Sequence, residues 1–191
     1  MRLTILDRGH SFGTKALFAL IRTFSRQPVL DVIKLAKYRP DFCATQEKTQ
    51  EAMRGPSAWT AGDRELMAAF VAKNNECEWC TRAHAAVATR AYGEEARVAA
   101  VLSDLEAAPI EEPLRATLRM LRKLTCEHAV TAEDMRTVLT SGVSPEQIKD
   151  ALAVCFAFNL TARLANTFGF ALASREAFDA GAKYLLARGY R

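Results

Sequence analysis

From Ser144 to Gly169 apolar residues recur at helical spacing: Ile148, Leu152, Cys155, Phe156, Leu160, Leu164 and Phe168. Ser144-Pro145-Glu146-Gln147 supplies an N-cap, a proline at the first helical position and a capping-box Gln, so a helix is predicted from Ser144 until Gly169 stops it. Leu114, Leu118, Leu121 and Leu124 stripe a second helix over 112–128. Thr131-Ala132-Glu133-Asp134 opens a shorter one ending near Gly142, and Ser174 caps another running to about Arg188. Thr60-Ala61-Gly62-Asp63 caps a helix through about Lys73. Asn74-Asn75 then breaks the chain, and a further helix runs from about Glu78 to Ala91 before Tyr92-Gly93. Weaker patterns predict helices near 13–24, 28–38 and 40–53. Alternating β-branched runs are absent, so the expected fold is all-α, a compact multi-helix bundle. Thr60 to Leu102 is expected to form its functional core, an antiparallel helix pair.

Composition adds little to this and removes several function classes. Half of the 191 residues are hydrophobic and a quarter charged, as in an ordinary globular domain. The net charge of +4 is concentrated in residues 1–55, with ten Lys/Arg against five Asp/Glu. No dense Lys/Arg cluster occurs, which argues against nucleic acid as a partner. Asp7 and Arg8 interrupt the first apolar run, and Ala16 to Ile21 is too short to cross a bilayer, so no membrane association and a cytoplasmic location are expected. Five cysteines, Cys43, Cys77, Cys80, Cys126 and Cys155, make an odd number without framework spacing. In a reducing compartment that favours a functional pair plus buried thiols.

That pair is Cys77-Glu78-Trp79-Cys80, at the start of a predicted helix, with His84 four residues after the second thiol. Positions i and i+4 share a helix face, so His84 can lie over Cys80. A thiol with an ordinary pKa near 8.5 is only about 3% thiolate at pH 7. Lowering that pKa by two units raises the thiolate fraction about 25-fold and reduces its nucleophilicity about eightfold, a net gain of only about threefold. A positioned proton-handling group contributes about 10²–10⁴-fold, which makes His84 the more valuable neighbour. Helix-terminus logic favours Cys77 as the attacking thiolate, whereas proximity to a base favours Cys80; spacing does not decide between them. Zinc is the competing chemistry, because Cys77, Cys80, His84 and Glu65 are four eligible ligands. Structural zinc sites usually take ligands from two separated knuckles, and no second pair is present. Haem attachment would need His where Thr81 stands.

Glu65, eleven intervening residues, then Cys77-x-x-Cys80-x-x-x-His84 resembles the active-site signature of AhpD-like alkyl hydroperoxidases, in the carboxymuconolactone decarboxylase superfamily. Tyr38-Arg39-Pro40, Arg54-Gly55-Pro56-Ser57-Ala58 and Asp63-Arg64-Glu65-Leu66 agree with it. Phe158-Asn159 and Arg163-Leu164-Ala165-Asn166 resemble its peroxidase-related branch. The likeness covers roughly residues 28–175, implying an N-terminal helical extension over 1–27 and an AhpD-like domain over 28–191. It implies a cofactor-free, metal-free peroxidase that reduces small hydroperoxides in antioxidant defence. In that reading Cys80 is peroxidatic, Cys77 resolving, His84 takes the Cys80 proton and Glu65 completes the relay. An external dithiol or protein reductant reopens the Cys77–Cys80 disulfide. Assembly as a homo-oligomer, a trimer or hexamer, is implied as well. The best-known members carry a second His between the cysteines; Trp79 stands there in this chain, with a place in an apolar substrate pocket expected. The alternatives are a decarboxylase-like lyase and a non-enzymatic redox or zinc-binding module.

The remaining candidates take plainer readings. Cys43 and Cys126 are expected to be packing or incidental residues and Cys155 a core residue. His10 and His128 lack companion ligands and are expected at the surface. Asn159, Arg163 and Asn166 form a polar stripe among apolar residues, suited to bracing an interface.

Overall fold

The structure, a computed structural model, describes residues 4–39 and 44–190, with side chains described from residue 47 onward in the second segment. Cys43, Pro40 and the start of the helix expected over 40–53 lie outside the described residues. Within them the chain is all-α, with eleven helices: α1 Ile5–Arg8, α2 Phe12–Ser25, α3 Asp31–Tyr38, α4 Ala44–Arg54, α5 Ala61–Asn74, α6 Glu78–Tyr92, α7 Glu95–Ser103, α8 Glu112–Glu127, α9 Ala132–Thr140, α10 Pro145–Phe168 and α11 Arg175–Arg188. Reciprocal capping boxes start α5 (Thr60/Asp63), α9 (Thr131/Asp134) and α10 (Ser144/Gln147), satisfying N–H groups that the helices leave unpaired. Two helices carry too little pattern to be predicted. α1 is a single turn. α7 has no side-chain cap, and only Val98 and Val101 of it are buried.

The bundle is built around α5. Every residue from Arg64 to Ala72 is buried, because α6, α8 and α10 all pack against this helix. A helix covered on all sides shows little amphipathic periodicity, and its sequence is small or apolar wherever neighbours approach. Leu66, Met67, Phe70 and Val71 meet Leu118 and Leu121 of α8 and Val154 and Phe158 of α10 in the main core. α10 is long and apolar enough, by length and composition, to cross a bilayer. Here it is a central strut, with Ile148, Ala151, Val154, Phe158, Ala162 and Ala165 facing its neighbours.

α5 and α6 form the antiparallel pair expected between Thr60 and Leu102. At its open end Gly62 is required: a Cβ there would lie 2.8 Å from the Tyr92 ring. The Tyr92 hydroxyl donates to Asp63 at 2.6 Å, locking the end of α6 against the start of α5. At the closed end Cys77 N–H bonds to Ala72 O at 3.0 Å, and Glu76 takes a left-handed conformation (φ 54°) to make the turn. Contacts also tie α1 and the link between α1 and α2 to α3. Lys34 pairs with Asp7 at 2.7 Å, and the His10 ring packs edge-on against Tyr38.

His10 departs from its expected surface position. It is buried, with Nε2 2.7 Å from Leu6 O and its ring against Phe18. The polar part needs only a local carbonyl and the ring fills space between α2 and α3. His128 is exposed and ends α8 in a left-handed cap.

Candidate active site

Cys77 is the N-cap of α6 and Cys80 lies one turn inside it; both are buried. The N–H groups of Trp79 and Cys80, at N2 and N3 of α6, favour a thiolate at Cys77 without making the full side-chain cap that Ser or Thr would. The Cys80 thiol donates to Cys77. That bond first, then the two backbone donors, outweigh the cost of burial and hold the Cys77 thiol at about 7. The same bond, reinforced by burial and by the Cys77 charge, pushes Cys80 far upward. The dithiol therefore loses its first proton near neutrality as a pair, with the charge resting on Cys77.

On the same helix His84 turns toward α5. Its Nδ1 lies 2.8 Å from Glu65 Oε2. Glu65 is fully buried, 0% exposed, unlike the solvated carboxylates common in the first turns of helices. Burial by itself raises the Glu65 carboxyl; the His84 hydrogen bond and charge, with the Arg54 guanidinium, outweigh it and set the net direction downward. An ionised carboxylate only accepts, so the proton in this bond sits on Nδ1, which in a neutral imidazole puts the lone pair on Nε2. The Phe158 ring closes edge-on over His84 at 4.3 Å.

Two residues of this cluster are not singled out by the sequence. Arg54, the last residue of α4, donates from Nη2 to Glu65 Oε1 at 2.6 Å. Tyr190, after α11, donates to both Glu65 oxygens at 2.8 and 3.0 Å. Its ring lies nearly parallel to that of His84, and its oxygen is 3.2 Å from Nδ1. Burial, then the Glu65 charge, raise its phenol well above the usual range. Arg54-Gly55-Pro56 stands out in the sequence only as part of a family resemblance. For Tyr190 no local signal exists, since it reaches Glu65 from 125 positions away.

Trp79 is packed, not open. Its ring meets Phe170 and Phe178 edge-on at 5.3 and 5.8 Å, in a small apolar cluster with Cys77, Cys80, Ala162 and Ala165. Its indole N–H is buried without a partner. Cys155 is buried in the core, beside Asn159 and Thr125, and Cys126 is exposed. Asn159 and Asn166 brace the interior rather than an outer face. Asn75 Nδ2 donates to Asn159 Oδ1 at 3.0 Å, and Asn166 Nδ2 donates to Asn75 O at 3.1 Å. Arg163 is exposed. Among the described residues no group of three or more His, Cys, Asp and Glu side chains converges as a metal site.

The carboxymuconolactone decarboxylase family profile matches residues 40–122, which span Arg54, Glu65, both cysteines and His84. No protein of curated function gives a significant sequence match. Two crystal structures share the fold. One is an uncharacterized peroxidase-related protein from Silicibacter sp., with 21% identity and a TM-score of 0.74. The other is an uncharacterized peroxidase-related protein from Ralstonia eutropha described as an alkylhydroperoxidase AhpD core, with 24% identity and the same TM-score. In each comparison 91% of this chain and 91% of the other are covered. The profile match takes in the site-bearing helices, and the fold is shared with these peroxidase-related, AhpD-like structures across nearly the whole chain.

Proposed function

We propose that the protein is a thiol-dependent peroxidase that reduces small hydroperoxides through a Cys77–Cys80 dithiol/disulfide cycle. The observation that carries this reading is the buried Glu65–His84 hydrogen bond on the helix that holds the coupled cysteines. It leaves Nε2 of His84 as a base for the thiol one turn earlier on the same face. The shared names of the structural relatives agree with it.

In this mechanism Cys80 gives its proton to His84 Nε2, and the resulting thiolate attacks the distal oxygen of ROOH. The O–O bond breaks and the alkoxide leaves with the proton returned by His84, giving ROH and Cys80 sulfenic acid. Cys77 then attacks the sulfenic sulfur as its thiolate; hydroxide leaves, takes up the proton that the Cys77 thiol gave up and departs as water, and the disulfide forms. An external dithiol or protein reductant reopens it by two exchange steps. No cofactor enters the cycle. Trp79 shields the pair from bulk water with Phe170 and Phe178, and a small apolar peroxide would enter beside them.

The decisive experiment treats reduced protein with one equivalent of cumene hydroperoxide and follows thiol labelling and intact mass. Loss of two hydrogens mapped to Cys77–Cys80 is the expected result. Unchanged free thiols would remove the peroxidase reading and leave the lyase alternative, which the family profile also suits but which gives the cysteine pair no work. Zinc retained stoichiometrically and lost with Cys77→Ser would instead favour the binding-module alternative.

We further propose a homo-oligomer. Phe156 on α10 is 66% exposed and Phe24 on α2 is 80% exposed, which is apolar surface suited to a second copy. Sedimentation equilibrium would show a single species larger than the monomer; a monomer at all concentrations would refute it.

A further inference from the structure

We propose that Tyr190 is a positioning residue of the Glu65–His84 pair: its phenol occupies part of the Glu65 carboxylate and limits how strongly Glu65 draws a proton onto the imidazole. The inference rests on the peroxidase reading, in which His84 is the group that handles protons.

Three donors from three parts of the chain converge on the Glu65 carboxylate: Arg54 from α4, His84 from α6 and Tyr190 from beyond α11. Since the carboxylate donates nothing, the phenol proton must point at it, and the phenol cannot also donate to Nδ1 3.2 Å away. The phenolic hydrogen bond and the Nδ1–H bond therefore share one acceptor group. Sharing weakens the pull of Glu65 on the imidazole. Without the phenol the carboxylate charge would be less dispersed, the imidazolium form more favoured, and His84 less ready to accept a thiol proton at neutral pH. The charged and titratable groups around His84 are Glu65 on α5, Arg54 on α4, Tyr190 itself and the thiols on α6; α10 contributes only the Phe158 ring.

The tail is held for this placement. Gly189 has φ +72°, and a Cβ there would collide with the Gln50 side chain. The same Gln50 accepts from Tyr190 N–H through Oε1, so the turn after α11 is fixed one residue before the phenol. The near-parallel ring against His84 (12° between planes) and the Arg54 guanidinium 5.3 Å over the Tyr190 ring complete the clamp.

Tyr190→Phe keeps the ring and removes the hydroxyl. The test is an NMR titration of His84 in the reduced wild-type protein and in Tyr190→Phe, with the resonance assigned by its loss in His84→Gln, since the chain has three histidines. Ring ¹⁵N shifts report the tautomer, and circular dichroism checks that the fold is kept. The expected result is an upward shift of the His84 midpoint by about half a unit or more, with the Nδ1–H tautomer kept in its neutral form because Glu65 still accepts from Nδ1. A midpoint unchanged by Tyr190→Phe overturns the proposal. No peroxide enters this measurement, so it stands or falls apart from the activity. If hydroperoxide is turned over, the acidic limb of the kcat profile moves up by the same amount while KM for the peroxide stays constant. A variant that merely loosened the fold would lower both without moving the limb.

Discussion

Glu65 and His84 are separated by 19 positions in sequence and by 2.8 Å in space, joined across the α5–α6 pair by a buried hydrogen bond. The bond exists because the two helices run antiparallel at close range, with Gly62 admitting the Tyr92 ring at one end and Cys77 bonded to Ala72 at the other. It gives the imidazole one orientation and leaves the opposite nitrogen free of Glu65.

Replacing Glu65 by Gln should destabilise the protein by about 2–4 kcal/mol at pH 7, because the Arg54 cation is left buried beside a neutral amide. The pH dependence has a definite sign. The folded-state pKa of Glu65 lies below its unfolded value, so its contribution is fully present above about pH 4.3 and is lost as pH falls through the folded value. Urea titrations across acidic pH should show the wild type losing an increment of stability that Glu65→Gln never had. Parallel curves for both proteins would contradict the ion-pair account.

Thiol labelling should report the Cys77 ionisation directly. The rate of iodoacetamide reaction at Cys77, mapped by peptide mass, should rise to half its limit near pH 7. Cys80→Ala removes the S–H donor that contributes most, so the midpoint should move upward toward the ordinary thiol range. A midpoint near 8.5 in the wild type would mean that the two sulfurs do not share a proton.

Asn159 is expected to matter through the turn before Cys77. It accepts from Asn75 Nδ2, while Asn166 donates to Asn75 O, so α10 holds the α5–α6 turn from both sides. Asn159→Leu removes one of the two acceptors of the Asn75 amide and leaves it Val71 O. The expected cost is about 0.5–1.5 kcal/mol in chemical denaturation. Slower disulfide formation after peroxide should accompany it, since the Cys77 N-cap geometry depends on the turn.

Gly62→Ala tests the close approach that sets the helix pair. A methyl group 2.8 Å from the Tyr92 ring forces the ring or the helix to move, at a cost of about 1–3 kcal/mol. Loss of the Tyr92–Asp63 hydrogen bond should be visible as an increased Tyr92 exposure in solvent-perturbation spectra. Wild-type stability would show that the end of α6 is free to shift.

Much of this arrangement is legible in the chain because it is local. The capping boxes at Thr60, Thr131 and Ser144 place α5, α9 and α10, and the i, i+4 spacing puts His84 on the Cys80 face. Glu65 is legible only through its spacing to Cys77, since a carboxylate near a helix start is commonly solvated. Arg54 and Tyr190 are not legible at all as site residues. They reach the carboxylate from the end of one helix and the turn beyond another, and neither interrupts or continues a local pattern. Asn159 and Asn166 are visible as a polar stripe, but periodicity on one helix cannot say which neighbour a face meets. The burial of His10 is hidden for the same reason, as it depends on Phe18 and Tyr38 from two different helices.

The sharpest prediction concerns which sulfur attacks. Ionisation favours Cys77, while His84 shares a helix face with Cys80, so electrostatics and the proposed proton transfer favour different cysteines. In the proposed cycle Cys77→Ser should react once with hydroperoxide and accumulate sulfenic acid at Cys80, trapped as a dimedone adduct and located by peptide mass. Cys80→Ser should form no adduct and show no turnover. The opposite pattern, an adduct on Cys77 in Cys80→Ser, would make Cys77 the nucleophile. His84 would then act on the leaving alkoxide rather than on the attacking thiol. Because the fold holds both sulfurs buried at the start of α6, either result is read against the same background, and the adduct position decides between them.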